Sequence, residues 1–417
     1  MLNEVQNTLK HSKILLTLPT LLVASTFFGG VPSLSALTIV VNNAAPVETS
    51  TATCPKSMFT TIGAALAYSR PGDLVYVCTG IYPEQITITD SITVAGQTGA
   101  EIQPASFVAN TTDYFDGSPL AAAVLATTDP NNPGVTPVVT FYNFIVDGTN
   151  ATGCTPSFAG IVYRDASGTI ADNAVTNIQV QGGNNGCQTG LAVYVEGSGS
   201  TTPTLTIAQN SIHDYQKNGI TITGTGVTAN VEYNYVRGYG PVSFIAQNGI
   251  EFDDGTLGAI TSNDVSGNIY TPGTYASTNV LMYNANAIPV SLNTLRDGDV
   301  AVYYQGTGAV VTKNSISDTT FDGVYFMDGA VTSNIVVDSR QRADGYAIEY
   351  GGIGNPAITG NTILDANVGV VVDNTGVTAT TTGNKYFATL TTTSNLGLTP
   401  GGGPIQRAKR AANPAHK

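Results

Sequence analysis

Short apolar units separated by turn residues recur along the chain. One unit is an asparagine, then any residue, then an apolar aliphatic residue. It begins at Asn143, Asn173, Asn210, Asn234, Asn263, Asn293, Asn314, Asn334 and Asn361. The second unit is a glycine followed by a short, largely apolar run. It begins at Gly160, Gly190, Gly219, Gly249, Gly323, Gly345 and Gly369. Successive asparagines lie 20 to 37 residues apart, and each interval predicts two strands.

Strands this short cannot fill a β-sandwich, but stacked coils can pair each strand with its counterpart one turn along. The pattern therefore predicts an all-β solenoid of 11 to 13 coils, built from parallel sheets. The recurring asparagine fits this arrangement, because it tolerates a left-handed backbone and its amide can bond the next asparagine in the stack. We assign that ladder a structural role.

A helix is predicted before the first coils, in the segment SMFTTIGAALAYSRPGD. Thr60 or Thr61 supplies an N-cap, and Pro71-Gly72-Asp73 ends the helix. Its apolar face carries Ile62, Ala65 and Leu66. We expect this helix to cover the open end of the solenoid.

The two ends of the sequence differ from its middle. Residues 1–36 contain Lys10 and Lys13 before a 15-residue apolar run interrupted by Pro19, which is typical of a secretory signal peptide. An uncleaved membrane anchor is the alternative, and no later segment is long enough to span a bilayer. Residues 37–392 form the predicted solenoid, and residues 393–417 a disordered basic tail.

Four cysteines follow the signal segment, an even number that suits an oxidising compartment. We predict the disulfides Cys54–Cys78 and Cys154–Cys187, because each pair is separated by about one repeat. Four free thiols are the alternative. The protein is expected to be secreted or displayed at the cell surface.

Composition excludes some functions. The chain has 417 residues with 16 Lys and Arg against 29 Asp and Glu, a formal net charge of −13. This balance argues against a nucleic-acid partner, which requires a basic surface. Abundant glycine (46 residues), no tryptophan and only 11% charged residues favour strands and turns over helices.

The entry stretch FTTIGAALAYSRPGDLVYVCTGIYPEQITI and the repeated units together resemble the pectin-lyase-like superfamily, over roughly residues 50–390. This resemblance implies a single-stranded right-handed parallel β-helix with a short N-terminal capping helix. The superfamily includes lyases, hydrolases, esterases, epimerases, tailspikes and adhesins, so the fold alone does not select an activity.

Catalytic motifs of these relatives are incomplete here. Gly80-Ile-Tyr82-Pro-Glu84 matches the first motif of pectin methylesterases, but the blocks that carry their catalytic aspartates are missing. Asp253-Asp254 resembles one block of polygalacturonase-like hydrolases, whose other blocks are absent. The only histidines are His11, His213 and His416, which excludes a Gly-His-Gly site.

Aligning the coils on their glycines predicts two outward columns. Glu251 shares the first with Ala192, Thr221 and Ala347, and Asp253 shares the second with Tyr194, Thr223 and Glu349. Glu251, Asp253 and Asp254 would then form a catalytic acid–base group, or hold Ca²⁺ through their oxygens. A solvated acidic turn is the alternative.

Substrate-binding residues are expected in nearby coils, with Arg296 as a clamp on the substrate. The other candidates are Arg237, Tyr303 and Tyr304. A second cluster is expected from Asp328, Arg340, Arg342 and Glu349. His213 precedes Asp214, which is able to orient it as a base, although a solvated turn histidine is the alternative.

Together these features predict a secreted β-helix protein that binds extracellular polysaccharide or a cell-surface glycan. If it is an enzyme, it is a polysaccharide lyase or glycoside hydrolase. Its net negative charge repels polyuronates unless Ca²⁺ bridges them or the sugar is neutral. The alternative is a non-catalytic surface or adhesin-type protein, which the incomplete catalytic motifs favour.

Overall fold

The computed structural model describes residues 35–43, 54–182, 186–271, 274–337 and 345–395. Within them the chain forms 35 strands and one short helix. Almost all strand pairs are parallel, and each strand pairs with strands of the adjacent coils. The fold is a single-stranded right-handed parallel β-helix, as predicted. The predicted signal peptide and basic tail lie outside the described residues, apart from residues 35–36 and 393–395.

Each coil contributes strands to three rows. Row one is a separate sheet of 12 strands, a number within the predicted range of coils. Its strands are Thr38–Val41, Leu74–Val77, Thr93–Gly96, Val138–Tyr142, Ser167–Ala171, Thr204–Ala208, Thr228–Glu232, Leu257–Thr261, Pro289–Ser291, Ala309–Thr312, Gly329–Thr332 and Ala357–Thr359. The two sequence units did not reveal this row, because its strands carry no fixed asparagine or glycine.

Row two contains the strands that follow the recurring asparagines, together with two earlier strands that no such asparagine precedes. They are Gly80–Tyr82, Ala100–Ile102, Ile145–Asp147, Ala174–Thr176, Ser211–His213, Tyr235–Val242, Asp264–Tyr270, Ile335–Val337, Thr362–Leu364 and Lys385–Phe387, with the first parts of Thr294–Gln305 and Ser315–Phe326. Those two long strands continue around a corner, so rows two and three belong to one sheet of 23 strands.

Row three contains the strands of the glycine units, together with strands of other coils that pair with them. They are Ile86–Ile88, Pro119–Thr127, Ser157–Arg164, Leu191–Glu196, Asn218–Thr223, Asn248–Asp253, Thr278–Tyr283, Tyr346–Tyr350, Val368–Val372 and Thr391–Asn395, with the last parts of the two long strands. A two-residue strand, Thr111–Thr112, pairs antiparallel with the start of Pro119–Thr127.

Side chains of alternate residues fill the solenoid, as strand geometry requires. In row three, Ile220 and Ile222 point into the continuous core, and they align with Ile250 and Phe252 of the next coil. The glycine of the unit also faces inward. A Cβ atom at Gly219 would lie 2.5 Å from Val236 Cγ1 and 2.6 Å from the Gly249 carbonyl oxygen. A larger residue at Gly219 would therefore require these neighbours to shift.

The asparagines form the predicted ladder. The backbone N–H and the Nδ2 of Asn234 each donate to Asn263 Oδ1 at 3.0 Å. Asn234 Nδ2 also donates to the Ile207 carbonyl oxygen at 2.8 Å. Equivalent bonds connect successive rungs from Asn173 to Asn384. The ladder thus satisfies buried backbone groups at each corner between rows one and two.

The capping helix spans Ile62–Tyr68, and the Thr61 side chain accepts the N–H of Ala64. Glu84, the last residue of the Gly-x-Tyr-x-Glu motif, accepts the N–H groups of Ile62 and Gly63 at 2.7 and 2.9 Å. These are otherwise unbonded donors at the helix N-terminus, where a carboxylate is favourable. In this chain the motif therefore attaches the cap to the first coils.

Both predicted disulfides are present, Cys54–Cys78 and Cys154–Cys187, each with a Cα–Cα distance of 5.8 Å. The first joins the segment before the helix to the end of an early row-one strand. No helix in the described part of the chain is long and apolar enough to cross a membrane.

Candidate functional site

The outer surface of row three carries Glu251 and Asp253, as predicted, but their column neighbours differ. Tyr194, Thr221, Glu251 and Leu281 align in one column. Glu196 aligns with Thr223 in the column of Asp253. The predicted alignment was wrong for the coil of Gly190, because Ala192 occupies the inward position that Gly160 has in its own coil. Ala192 and Tyr194 therefore each lie two residues from their predicted places.

Glu251 is buried and held by amides. Asn218 Nδ2 and Asn248 Nδ2 donate to its Oε2 at 2.6 and 3.0 Å. Asn248 also donates to Asn218 Oδ1, and Thr278 donates to Asn248 Oδ1. This amide network fixes one carboxylate oxygen of Glu251 on the surface of the sheet.

Asp253 lies two residues further along the same strand and is only 5% exposed. Burial raises the pKa of its carboxyl well above the usual value, and the charge of Glu251 adds to the effect. Its Oδ1 atom has no hydrogen-bond partner in the described part of the molecule. Asp253 is thus a carboxyl group that favours its protonated form.

A cavity of about 110 Å³ opens beside Asp253. We call it the cleft. Most of its lining residues are polar, and they come from row-three strands, from the turns before them and from the loop before Pro119–Thr127. The lining residues are Asp113, Phe115, Asp116, Ser118, Ser157, Gln188, Leu191, Tyr194, Lys217, Asn218, Thr221, Thr223 and Asp253. Glu251 is not among them, so its charge affects the cleft only by raising the pKa of Asp253.

The loop at residues 113–118 supplies Asp113, Phe115 and Asp116 to one side of the cleft. Tyr194 Oη donates to Asp113 Oδ2 at 3.1 Å, which ties this loop to the sheet. Phe115 is 49% exposed. The loop therefore presents a carboxyl group and an accessible aromatic ring to the cavity.

Tyr114 anchors the same loop from its other side. Its N–H donates to Glu196 Oε2 at 2.8 Å, and its hydroxyl donates to Asp165 Oδ2 at 2.7 Å. The Arg164 guanidinium lies 3.6 Å from the centre of the Tyr114 ring and donates to Glu196 Oε1 at 3.0 Å. Glu196 is nevertheless so buried that its pKa is raised to about 7.

Lys217 is the only cationic side chain among the residues that line the cleft. Its Nζ donates to the carbonyl oxygen of Ala246 at 2.9 Å. Burial lowers the pKa of this ammonium group, whereas the charge of Glu251 opposes that change. Lys217 thus offers a hydrogen-bond donor with little surrounding water.

The sequence did not predict Asp113, Phe115, Tyr194 or Lys217 as site residues. Asp113 and Phe115 belong to DYFDGSP, a turn-rich segment between strands that carries no repeat unit. One sequence signal could have marked this segment as a functional loop. It is an aromatic pair that lies between two aspartates, with a glycine directly after the second aspartate. Only the three-dimensional path of the loop places it over Asp253.

Asp254 does not line the cleft. It occupies the turn after the strand with φ 47°, next to Gly255, and its Oδ1 lies 3.5 Å from Asn284 Nδ2. Among the described residues, no three His, Cys, Asp or Glu side chains are grouped as metal ligands.

The predicted substrate-binding residues are not part of the cleft either. Tyr304 points into the core, where the N–H of Ile288 donates to its hydroxyl, so its predicted exposure was wrong. Tyr303 projects outward but is buried against Tyr325, with ring centres 4.9 Å apart. Adjacent residues on a strand face opposite sides, so the two tyrosines cannot share one surface.

Arg237 and Arg296 lie on row two, two coils apart, and each aligns with Ser266 between them. Arg296 Nη2 donates to both carboxyl oxygens of Asp264, at 2.9 and 3.1 Å. Neither arginine lines the cleft. The turn between rows two and three separates these side chains from Asp253.

The predicted second cluster, of two acidic residues and two arginines, is not brought together in the described residues. Glu349 is buried in row three beside Asp322 and Asp373, and burial together with those carboxyls raises its pKa strongly. Glu349 aligns with Tyr325, not with Asp253, because Ala347 takes the inward glycine position. Asp328 instead accepts the N–H of Gly308. Arg340 and Arg342 lie outside the described residues.

His213 and Asp214 lie on row two and interact as predicted, with Nδ1 2.7 Å from Asp214 Oδ2. The Thr176 hydroxyl lies 3.2 Å from the same ring nitrogen. They line a second pocket that does not include any residue of the cleft.

Comparison with known proteins supports the architecture. Residues 241–386 match the family model described as a right-handed beta helix region. Two solved structures each superpose with a TM-score of 0.54, over 84% of this chain and 68% of their own length. They are the Dettilon tailspike protein, 14% identical, and the GH136 lacto-N-biosidase from Eubacterium ramulus, 11% identical. No curated protein sequence matches the chain significantly. The family match agrees with the three rows of parallel strands, and the chain is therefore a right-handed parallel β-helix protein.

Proposed function

We propose that the cleft binds a neutral glycan and hydrolyses a glycosidic bond, with Asp253 as the general acid. The observation that carries this proposal is the environment of Asp253, a buried carboxyl with a raised pKa that lines a polar cavity. A glycosidase needs one carboxyl group that holds a proton at working pH and a second one that does not.

In the proposed reaction, Asp253 gives its proton to the glycosidic oxygen as the bond between that oxygen and the anomeric carbon breaks. Asp113 takes a proton from the water molecule that attacks the same carbon. Two sugar products form, and the carboxyl groups then return to their starting states by exchange with solvent. Glu251 has a positioning role, since its fixed charge helps Asp253 to keep its proton.

The charges of the cleft favour a neutral sugar. Three carboxyl groups (Asp113, Asp116 and Asp253) line it, against the single ammonium of Lys217. A uronate in this cavity would meet like charges, whereas hydroxyl groups can donate to carboxylates and accept from Lys217. Phe115 offers a ring on which the apolar face of a sugar can stack.

Secretion fits this function. Two disulfides are typical of proteins from oxidising compartments, and extracellular glycans are accessible there. At 14% and 11% identity, the tailspike and the lacto-N-biosidase support only the fold, so the proposal rests on the cleft itself.

A reaction screen tests this proposal. The protein is incubated with neutral and acidic polysaccharides, and both new reducing ends and ultraviolet absorbance from unsaturated uronates are followed. We expect reducing ends from a neutral substrate without absorbance. The variant Asp253→Asn should lose at least about 100-fold in kcat, since general acid catalysis contributes about 10²–10⁴-fold.

The matched control is Asp254→Asn, which removes the neighbouring carboxyl outside the cleft and keeps a residue that tolerates positive φ. It should retain the parental rate. Equal activity of Asp253→Asn and the parent would contradict the proposal. Binding of glycans without any product would instead favour the non-catalytic surface protein. Ultraviolet absorbance from an unsaturated uronate with each new reducing end would indicate a lyase.

A further inference from the structure

A second pocket, of about 340 Å³, lies on the outer surface of row two. We call it the row-two pocket. It is lined by His213, Asp214, Tyr235, Arg237, Gly238 and Tyr239. An arginine, a histidine and two tyrosines supply most of this lining, in contrast to the acidic cleft.

Arg237 is the exposed cation of this pocket, and within the described part of the chain it forms no ion pair. Two other arginines of the solenoid differ, because Arg164 is bonded to Glu196 and Arg296 to Asp264. Asp264 lies on the coil next to Arg237, so Arg296 already compensates the nearby carboxylate. The guanidinium of Arg237 is thus available for an anion from outside the molecule.

Two other polar groups of the pocket, His213 and Asp214, are in hydrogen-bond contact with each other. His213 Nδ1 lies 2.7 Å from Asp214 Oδ2, and the Thr176 hydroxyl lies 3.4 Å from that same oxygen. The His213 side chain is 38% exposed. With Nδ1 directed at Asp214, Nε2 is the ring nitrogen that can contact a ligand.

Two tyrosines complete the lining. Tyr235 and Tyr239 are both exposed and lie on either side of Arg237 along one strand. The N–H of Tyr239 donates to Gln247 Oε1 at 3.0 Å, which fixes the backbone at this end of the pocket. Aromatic rings beside an unpaired arginine suit a ligand that has both a ring face and a carboxylate.

We propose that the row-two pocket binds a carboxylated sugar unit. Arg237 holds the carboxylate through paired N–H donors, the tyrosines contact the sugar ring, and His213 Nε2 bonds a hydroxyl group. This site is separate from the cleft and does not depend on the reaction proposed there. It gives the chain a point of attachment to acidic glycans despite its net negative charge.

The test titrates the full chain with trigalacturonate, with neutral maltotriose as the comparison ligand and inorganic phosphate as a competitor. Arg237→Gln should weaken trigalacturonate binding at least about tenfold, because it removes a charge-assisted pair of hydrogen bonds. The matched control is Lys385→Gln, which removes one positive charge from an exposed side chain on the same row. It should bind like the parent.

Four results would overturn the proposal. One is unchanged trigalacturonate affinity in Arg237→Gln, and another is an equal loss in Lys385→Gln, which would indicate non-specific charge attraction. The third is an affinity for inorganic phosphate, measured by competition, that equals the affinity for trigalacturonate. That result would indicate a general site for small anions. Loss of binding in Asp253→Asn alone would place trigalacturonate in the cleft and would also contradict this assignment.

Discussion

At the scale of single residues, the molecule gives neighbouring carboxyl groups different environments. Glu251 is bonded by two amides, whereas Asp253 on the same strand has an oxygen without a partner among the described residues. The charge of the first raises the pKa of the second. One strand thereby holds Glu251 in a fixed position beside a group that keeps its proton, and Asp113 supplies the second carboxyl that the proposed acid catalysis needs.

Glu196 makes stability depend on pH. Its pKa is raised from 4.5 to about 7 in the folded protein, chiefly by burial. The folded chain then binds a proton that the unfolded chain has released, so the free energy of unfolding falls as pH rises from 4.5 to 7. We expect Glu196→Gln to reduce that slope, as measured by apparent melting temperature across this range.

The slope, not the absolute melting temperature, is the relevant quantity, because the substitution also alters the bond to Arg164. Asp253 and Glu349 have raised pKa values too and contribute a slope of the same sign. The variant should therefore be less pH-dependent than the parent without becoming independent of pH. An unchanged slope would mean that Glu196 ionises normally in the folded state.

At the scale of elements, the cleft depends on a loop outside the repeats. The loop at residues 113–118 follows Thr111–Thr112 and has contacts to two coils of row three through Asp165 and Glu196. It contributes Asp113 and Phe115 to the cleft. A regular solenoid surface is nearly flat, so this loop is what gives the surface a cavity.

Tyr114→Ala tests the anchoring of that loop. The substitution removes the hydroxyl bond to Asp165 and the ring contact with Arg164, so Phe115 and Asp113 should lose their fixed position. We expect KM for a neutral glycan to rise about fivefold, for a loss of about 1 kcal/mol. Tyr114→Phe keeps the ring and should show a smaller rise. Steady-state kinetics on both variants measure this, and a parental KM for Tyr114→Ala would show that the loop does not depend on Tyr114.

At the scale of the whole molecule, the coils are held together by the asparagine ladder and the common core. Each coil contacts mainly its neighbours, so stability is expected to approximate a sum of coil and interface contributions. An interior rung serves coils on both sides of it. The last described rung, Asn384, has no further asparagine rung beyond it within the described residues.

Asn263→Ala should therefore destabilise the protein more than Asn384→Ala. Asn263 accepts two bonds from Asn234 and donates to the Val231 carbonyl oxygen, and its loss leaves buried polar groups unsatisfied. We expect a decrease of about 2 kcal/mol or more in the free energy of unfolding. Asn384 is half-buried, so water can replace its bonds. Urea unfolding of both variants gives the comparison, and equal losses would contradict a structural ladder.

The sequence was informative where the fold repeats itself. The asparagine and glycine units mark two of the three strand rows, and the outward direction of Glu251 and Asp253 follows from strand alternation. Both disulfides followed from cysteine spacing. These features are predictable because each is set by a local pattern that every coil must satisfy.

The rest depends on geometry that no local pattern records. Ala192 and Ala347 replace glycine at the inward position, which shifted the predicted columns by two residues. The strand Thr294–Gln305 pairs with an irregular register between Gly298 and Val300, and only Tyr303 of the tyrosine pair faces outward. The corner angle that separates Arg237 from Asp253 is likewise absent from the repeat pattern.

The most direct test of the central claim is a crystal structure of the Asp253→Asn variant with a neutral oligosaccharide. The substitution removes the proton donor and keeps the size of the side chain, so an intact ligand should remain bound. We predict that a sugar ring stacks on Phe115 and that a glycosidic oxygen lies within hydrogen-bond distance of residue 253. A sugar bound elsewhere on the solenoid, with the cleft empty, would contradict the account.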